Sequence, residues 1–234
     1  MRKRPDWMLD ETAFVGRENL DSAHVARYDD KEDAEATSEV ELLRSLGLDS
    51  SSLVLEFGSG TGQFAVAAAS VVEHVVAIDP SPPMLACLRE KIAAGGLNNI
   101  DTVHGGFLTY DHARRPADIV YSRYALHHLP DAWKAIALAR IRSMMKPGGI
   151  LRLWDVVYDF DPAEATERFE QWCAAGGDTV GEEWSRAELA EHISDEYSTF
   201  AWLLEPMLER SGFRIEKSEQ VFDGFGMRHI ARAV

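Results

Sequence analysis

The chain has 234 residues, with 24 basic and 39 acidic side chains and a net charge of −15 at pH 7. That length favours a single α/β domain with room for a lid, and an apolar content of 46% excludes global disorder. The negative charge repels phosphate backbones, which argues against a nucleic-acid partner.

The cysteines and the apolar runs indicate where in the cell the protein is expected. Cys87 and Cys173 lie far apart, in neither a metal-binding nor a redox spacing, so we expect a reducing, cytoplasmic setting. The basic start of the chain lacks the apolar stretch of a secretory signal. The longest weakly polar run, residues 64–72, is too short to cross a bilayer, so we expect no membrane partner.

The first fifty residues are polar and acidic. A helix through Leu42, Leu43 and Leu46 is predicted to end at Gly47, because glycine commonly terminates helices. We therefore assign residues 1–48 to an N-terminal helical cap.

Short apolar strands alternate with helices between residues 49 and 157. The predicted strands cover residues 53–57, 75–78, 100–104, 117–121 and 150–157, and the predicted helices cover residues 63–72, 84–94 and 132–145. The third helix is predicted to stop at the Lys-Pro-Gly-Gly run of residues 146–149, and the fifth strand is predicted to begin after that run. This alternation predicts a doubly wound, Rossmann-like α/β core with a mostly parallel sheet and a ligand crevice at the carboxyl ends of its strands.

The remaining residues depart from this rhythm. Residues 158–212 have a helical, aromatic-rich pattern and are predicted to form a helical lid. Residues 213–234 predict a pair of strands that meet at a turn around residues 223–224 and complete the sheet. Five aromatic side chains could line an apolar cavity or pack in a core: Trp154, Trp172, Tyr197, Phe200 and Trp202.

The strongest local motif is the Glu-Phe-Gly-Ser-Gly-Thr-Gly run at residues 56–62, which follows the first strand. Glycines let the chain turn sharply and let a ligand approach the backbone. Gln63 stands where the dinucleotide fingerprint requires Gly or Ala, and the loop has no lysine for a phosphate. The loop therefore favours a ligand without phosphates, and the negative Glu56 favours a cationic one.

An acid follows at the end of the second predicted strand. Asp79 lies where an acidic side chain can accept hydrogen bonds from both hydroxyls of a ribose. The alternative is that Asp79 caps the next helix, although Ser81 is the more natural cap.

Four segments together resemble the class I S-adenosylmethionine-dependent methyltransferases of the small-molecule branch. These segments are residues 54–62, 75–85, 117–130 and 144–155, and the resemblance covers roughly residues 52–157. It implies a seven-stranded sheet with an antiparallel last strand and S-adenosylmethionine as cofactor. It also implies methyl transfer by direct displacement to O, N or C of a small-molecule acceptor.

The resemblance assigns the methionine half of the cofactor to the glycine loop and its surroundings. The loop residues that match are Glu56, Phe57, Gly58, Ser59 and Gly60. Ser122 and Arg123 resemble residues that reach the amino-acid end, and Tyr28 matches an upstream tyrosine near the methionine carboxylate.

The same resemblance assigns the adenosine half. Asp79 would hold the ribose hydroxyls, and Pro80 and Met84 would pack near the adenine. Many family members carry an acid after the third strand that touches the adenine amino group. Gly106 stands at that position here, so backbone groups and Phe107 would have to substitute for the acid.

Two histidines follow the fourth strand. His127 and His128 are candidate general bases, because histidine exchanges protons near neutral pH. The alternative is that His127 packs internally and His128 orders the loop. Catechol-type relatives hold Mg²⁺ with acids near the fourth and fifth strands, where Asp131 and Asp155 lie in this chain. We expect no metal, because Asp131 should open the following helix and Asp155 alone does not make a site.

Two other functions remain open at this point. One is a nicotinamide-dependent oxidoreductase on a Rossmann-like sheet, which Gln63 disfavours. The other is a non-catalytic subunit that keeps the cofactor fold. The sequence does not predict an oligomeric state.

Overall fold

A seven-stranded sheet runs through the centre of the computed structural model, which describes residues 5–16, 18–31, 34–177 and 184–234. The strands are β1 (Leu53–Phe57), β2 (His74–Asp79), β3 (Ile100–His104), β4 (Ala117–Arg123), β5 (Met145–Asp155), β6 (Val157–Tyr158), β7 (Thr199–Phe200), β8 (Phe213–Val221) and β9 (Gly226–Ala233). The helices are α1 (Ser22–Val25), α2 (Tyr28–Lys31), α3 (Ala36–Ser45), α4 (Gln63–Ala69), α5 (Pro82–Gly95), α6 (Asp131–Met144), α7 (Ala165–Ala175), α8 (Arg186–Asp195) and α9 (Ala201–Arg210).

The strand order of the large sheet is β3-β2-β1-β4-β5-β9-β8. Neighbouring strands from β3 to β5 are parallel, whereas β9 is antiparallel to both β5 and β8. The predicted doubly wound sheet with an antiparallel last strand is therefore confirmed. The order reverses between β1 and β4, and a crevice at such a point is where this class of sheet binds ligands.

Helices cover both faces of the sheet, so every residue of β1 is buried. One apolar cluster joins the sheet to α6 and α9, and it includes Phe57, Leu138 and Leu204. The other cluster joins the opposite face to α3, α4 and α5 and includes Leu43 and Phe64. Burial on both faces explains the continuous apolar runs of the central strands.

The predicted helix ends at Met144, just before the Lys-Pro-Gly-Gly run, as expected, but the run lies inside β5, so the predicted start of the fifth strand at residue 150 is wrong. β5 begins at Met145, which pairs with Ala117, and the register shifts before Ile119. Gly148 adopts φ +77 within this irregular stretch. Proline has no N–H to donate, and a bulge is one of the few places where a sheet tolerates it.

The segment from 158 to 212 contains more than helices. β6 and β7 form a small parallel sheet of two strands, and α7 packs against α8. α9 buries Leu204 and Leu208 against the main sheet. The division into a cap, a core and a lid stays a prediction. None of the helices over the described residues is long and apolar enough to cross a membrane.

A buried ion pair fastens the N-terminal helix α3 to the sheet. Arg152 donates two hydrogen bonds to the Glu39 carboxylate. The distance from Nε to Oε2 is 2.7 Å, and the distance from Nη2 to Oε1 is 2.6 Å. The two side chains are only 3% and 4% exposed. Removing one partner would leave the other as an uncompensated buried charge.

We expect Glu39→Ala to lower the free energy of unfolding by about 3–5 kcal/mol, because it leaves Arg152 unpaired in the core. Urea denaturation at pH 7 measures the change. Glu41→Ala, on an exposed position of the same helix, is the control. The double variant Glu39→Ala/Arg152→Met should regain much of the lost stability. An equal loss of stability in Glu39→Ala and Glu41→Ala would contradict the prediction.

Candidate functional site

The loop after β1 exposes its backbone at the crevice. Gly58 has φ +70, and a Cβ there would lie 2.2 Å from the Cβ of Ala125. Gly60 has φ +52, and a Cβ there would have only the Met84 sulfur at 4.0 Å as its nearest contact. The amides of Gly58 and Ser59 donate to the carbonyl of Ile78, which holds the loop against β2. The loop therefore turns tightly at Gly58 and leaves the backbone open to a ligand at Gly60.

Asp79 closes β2 beside this loop. Its Oδ2 accepts a hydrogen bond from the Gly60 amide and its Oδ1 accepts one from the Ser81 amide, both at 2.7 Å. Burial raises the pKa of Asp79 to about 6 in spite of these donors. Each carboxylate oxygen can accept a second hydrogen bond, so Asp79 can receive two neighbouring hydroxyls.

Ser81, and not Asp79, caps the next helix, as the sequence predicted. Its hydroxyl oxygen accepts a hydrogen bond from the Met84 amide at 3.2 Å, at the start of α5. The Ser81 hydroxyl also donates to the carbonyl of Asn19 at 2.5 Å. Because Ser81 caps the helix, the Asp79 carboxylate does not serve as its cap and remains at the crevice.

Glu56 lies beneath the loop, inside β1. Burial, together with the charge of Asp79, raises its pKa well above the usual carboxyl range. Its Oε2 is buried and has no hydrogen-bond partner within the described structure. A buried carboxyl oxygen without a donor is costly, so a cationic group nearby would stabilise it.

Two cavities open at the carboxyl ends of the strands. The narrow one brings together many of the predicted cofactor residues: Tyr28, Gly58, Gly60, Asp79, Pro80, Met84, Gly106, Phe107 and Arg123. The remaining ones lie buried beneath it and do not line it: Glu56, Phe57, Ser59 and Ser122. Phe57 supports the wall from behind, because its ring stacks on that of Phe107 with the ring centres 5.1 Å apart.

The second cavity is larger, with a volume of about 540 Å³. It shares part of its wall with the narrow cavity, and the shared residues are Asn19, Tyr28, Arg123, Tyr124 and His128. Tyr124 lies in the left-handed region at φ +49, which is rare for an aromatic residue and is typical of functional sites. The two cavities therefore meet just beyond the end of β4.

The two predicted histidines have opposite surroundings. His127 is 5% exposed and lies between two carboxylates. Its Nδ1 is 2.5 Å from Asp155 Oδ1, and its Nε2 is 3.1 Å from Glu196 Oε2. His128 lies in the wall shared by both cavities, and its Nδ1 is 3.8 Å from Glu196 Oε1.

These surroundings set the charge of each imidazole. Burial alone would lower the pKa of His127, but the charges of Asp155 and Glu196 outweigh burial and raise that pKa to about 10. Burial, reinforced by the charge of His127, lowers the pKa of His128 to about 3. At neutral pH His127 is an imidazolium and His128 is a neutral imidazole.

A third histidine completes this group. His127, His192 and Glu196 place their ligand atoms within 4.8 Å of one another, an arrangement that could also hold a metal ion. Asp155, which we predicted to be too isolated for a metal site, is instead the carboxylate that receives the Nδ1 side of His127. Asp131 opens α6, as expected.

Aromatic side chains line the larger cavity, but they are largely not the ones the sequence indicated. Of the five predicted aromatics only Trp172 lies in its wall, and the other aromatic rings there are those of Tyr28, Tyr124, Trp184, Phe222 and Phe225. Trp154 is fully buried, with the guanidinium of Arg228 3.6 Å from its ring centre. Trp202 is 58% exposed on α9.

Sequence reasoning missed three residues that shape the site. Glu11 and Asn19 come from the N-terminal segment and line the narrow cavity. Glu196 lies almost seventy residues after His127 along the chain, and a hydrogen bond from the Tyr197 amide to the His127 carbonyl holds it there. β4 and β5 are neighbouring parallel strands, so their carboxyl ends lie side by side. This adjacency is the one signal that could have indicated that Asp155, at the end of β5, lies close to His127, just after β4.

Comparisons with known proteins identify the family of the chain. A family model described as a methyltransferase domain matches residues 54–149. An uncharacterised methyltransferase of Geobacillus kaustophilus is 30% identical over 168 residues, which cover 72% of each chain. One of Bacillus cytotoxicus is 29% identical over 211 residues, covering 90% of this chain and 87% of the relative.

Solved structures show the same fold. A SAM-dependent methyltransferase from Aquifex aeolicus aligns with a TM-score of 0.64 and 19% identity, covering 92% of this chain and 99% of that chain. The CcbJ methyltransferase from Streptomyces caelestis aligns with a TM-score of 0.64 and 20% identity, covering 87% and 97%. The chain therefore belongs to the methyltransferase family, on the class I S-adenosylmethionine-dependent methyltransferase fold that the sequence predicted.

Proposed function

We propose that this protein transfers a methyl group from S-adenosylmethionine to a small molecule held in the larger cavity. The observation that carries the proposal is the wall that the two cavities share at the end of β4. A nucleoside in the narrow cavity and an acceptor in the larger one would meet there. Direct displacement needs the two reactants to be aligned and screened from water, and adjoining cavities achieve both.

The residues of the narrow cavity fit a phosphate-free, positively charged nucleoside. Asp79 would accept hydrogen bonds from the ribose hydroxyls, and the open backbone at Gly60 would lie against the amino-acid part. The Oε2 of Glu56 has no hydrogen-bond partner within the described structure, and a positive charge near the loop would stabilise the ionised form of this buried carboxyl group. No basic side chain stands in residues 56–62. When bound, S-adenosylmethionine supplies a methyl group on a sulfonium, which a lone pair of the acceptor displaces.

His128 is the better of the two candidate bases. It lies in the shared wall and is neutral, so its imidazole can accept a hydrogen bond from the acceptor. His127 already holds its proton between Asp155 and Glu196, so its role is to position the loop. A low pKa makes His128 a weak base, which suits an acceptor that needs only hydrogen-bond guidance as its bond to carbon forms.

The acceptor site favours a flat, apolar molecule. Trp172 stacks on Phe225 with ring centres 4.4 Å apart, and both rings line the cavity beside Glu196 and His192. Its volume of about 540 Å³ is in the range of cavities that enclose small ligands. Oxygen, nitrogen and carbon acceptors all remain candidates, and the lack of a nucleic-acid partner and the cytoplasmic location stay predictions from composition.

A panel experiment tests the proposed function. The protein is incubated with S-adenosylmethionine carrying a labelled methyl group and with phenols, aromatic amines, enols and short single-stranded RNA. We expect label transfer to a member of the small-molecule set and none to RNA. Binding of S-adenosylhomocysteine without transfer to any small molecule, or transfer to RNA alone, would contradict the proposal.

We expect the affinity for S-adenosylhomocysteine to rise between pH 5 and pH 7 and then to level off. The ribose hydroxyls need an ionised Asp79, whose pKa of about 6 means that binding at lower pH must release a proton. Asp79→Asn should weaken binding by about 10- to 100-fold at pH 7 and remove this part of the pH dependence. Calorimetric titration measures both effects, and an identical pH dependence in the variant would contradict the assignment.

We expect Trp172→Ala to raise the KM of the acceptor found in the panel by about 10-fold or more, because it removes an aromatic wall of the cavity. Trp202→Ala is the matched control, since Trp202 is 58% exposed and does not line the cavity. Steady-state kinetics at saturating cofactor give both values. Equal KM values in the two variants would place the acceptor elsewhere.

A further inference from the structure

A buried carboxylate from the N-terminal segment lies in the wall of the narrow cavity. Glu11 is 6% exposed, although it lies outside the main sheet and its covering helices. Its Oε1 accepts a hydrogen bond from the Leu108 amide, and its Oε2 accepts one from the Thr109 hydroxyl, both at 2.9 Å. These bonds fix the carboxylate against the loop that follows β3.

Gly106 leaves the space that this carboxylate occupies. A Cβ at position 106 would lie 2.4 Å from Glu11 Oε1 and 2.7 Å from the carboxyl carbon. Any side chain at position 106 would therefore collide with Glu11 as it stands. The absence of a side chain at Gly106 therefore makes room for the Glu11 carboxylate, which comes from a distant part of the sequence.

The position of Glu11 relates it to the base of the nucleoside. Asp79 lies at the carboxyl end of β2, and its neighbour across the sheet is His104 at the end of β3. A nucleoside whose ribose is held by Asp79 places its amino-acid part toward the glycine loop, so its base extends toward β3. Met84 and Phe107 supply apolar contacts for the base, and Glu11 lies in the same wall.

Adenine and the Glu11 carboxylate are chemically complementary. The amino group of adenine donates hydrogen bonds, and an ionised carboxylate only accepts them. Burial raises the pKa of Glu11 in spite of the hydrogen bonds from Leu108 and Thr109 and the charge of Arg140, so a further donor would stabilise its charged form. An oxo group at the same ring position would instead face the carboxylate with a lone pair.

We propose that Glu11 accepts a hydrogen bond from the adenine amino group and selects adenine over purines with an oxo group at that position. The inference rests on the cofactor and not on the acceptor proposed above. It explains how this chain recognises adenine although Gly106 follows β3. It also makes the N-terminal segment part of the cofactor site.

The test compares two ligands by calorimetry: S-adenosylhomocysteine and its inosine analogue, in which an oxo group replaces the amino group. Wild-type protein should bind the adenosine compound about 10- to 100-fold more tightly, the range for a hydrogen bond to a charged group. In Glu11→Ala this ratio should fall toward one. Asp79→Asn is the control, because it weakens both ligands and should leave the ratio unchanged.

A double variant sharpens the result. In Glu11→Ala/Gly106→Asp the space vacated by Glu11 receives a carboxylate from position 106, and the preference for adenosine should return. If Glu11→Ala unfolds, Glu11→Gln, which keeps the shape of the side chain, should still lower the ratio. A folded Glu11 variant that keeps the wild-type ratio would overturn the inference, whereas a wild-type protein that binds neither ligand would overturn the cofactor assignment itself.

Discussion

The contact between Asp79 and the Gly60 amide is the constraint on which the site depends. It joins the end of β2 to the loop after β1, so the two elements that the topology places side by side also share a hydrogen bond. The Gly58 and Ser59 amides also hold the loop against β2, but the contact with Asp79 is the one that fixes the distance between the open backbone at Gly60 and the carboxylate. The carboxylate is buried and therefore costly to ionise, and this cost is what a bound ribose would relieve.

Charge is distributed unevenly around the shared wall of the cavities. Two adjacent histidines differ in protonation because two carboxylates outweigh burial at His127, whereas burial dominates at His128. The positive charge of His127 adds to burial in favouring the neutral form of His128. Glu196 joins the segment before β7 to the loop after β4 together with the hydrogen bond from the Tyr197 amide to the His127 carbonyl, so this side chain contributes both to the charge of His127 and to the wall of the larger cavity.

Much of the fold could be predicted from the sequence, because the signals are local. The strand at residues 53–57, the glycine loop and Asp79 lie within thirty residues, and each follows directly from a strand end. Glu11 could not be predicted in the same way, since its partner Leu108 is 97 residues distant. The predicted start of the fifth strand is wrong for a related reason, because only the pairing of Met145 with β4 shows that the strand begins before the Lys-Pro-Gly-Gly run and bulges there. The charge of His127 likewise depends on two carboxylates from different elements.

The N-terminal segment lines both cavities, with Glu11 in the wall of the narrow cavity, and Asn19 and Tyr28 in the wall that the two cavities share. A substitution that shifts this segment would consequently change the shape of both cavities at once, although the segment lies outside the sheet that carries the rest of the narrow cavity's wall.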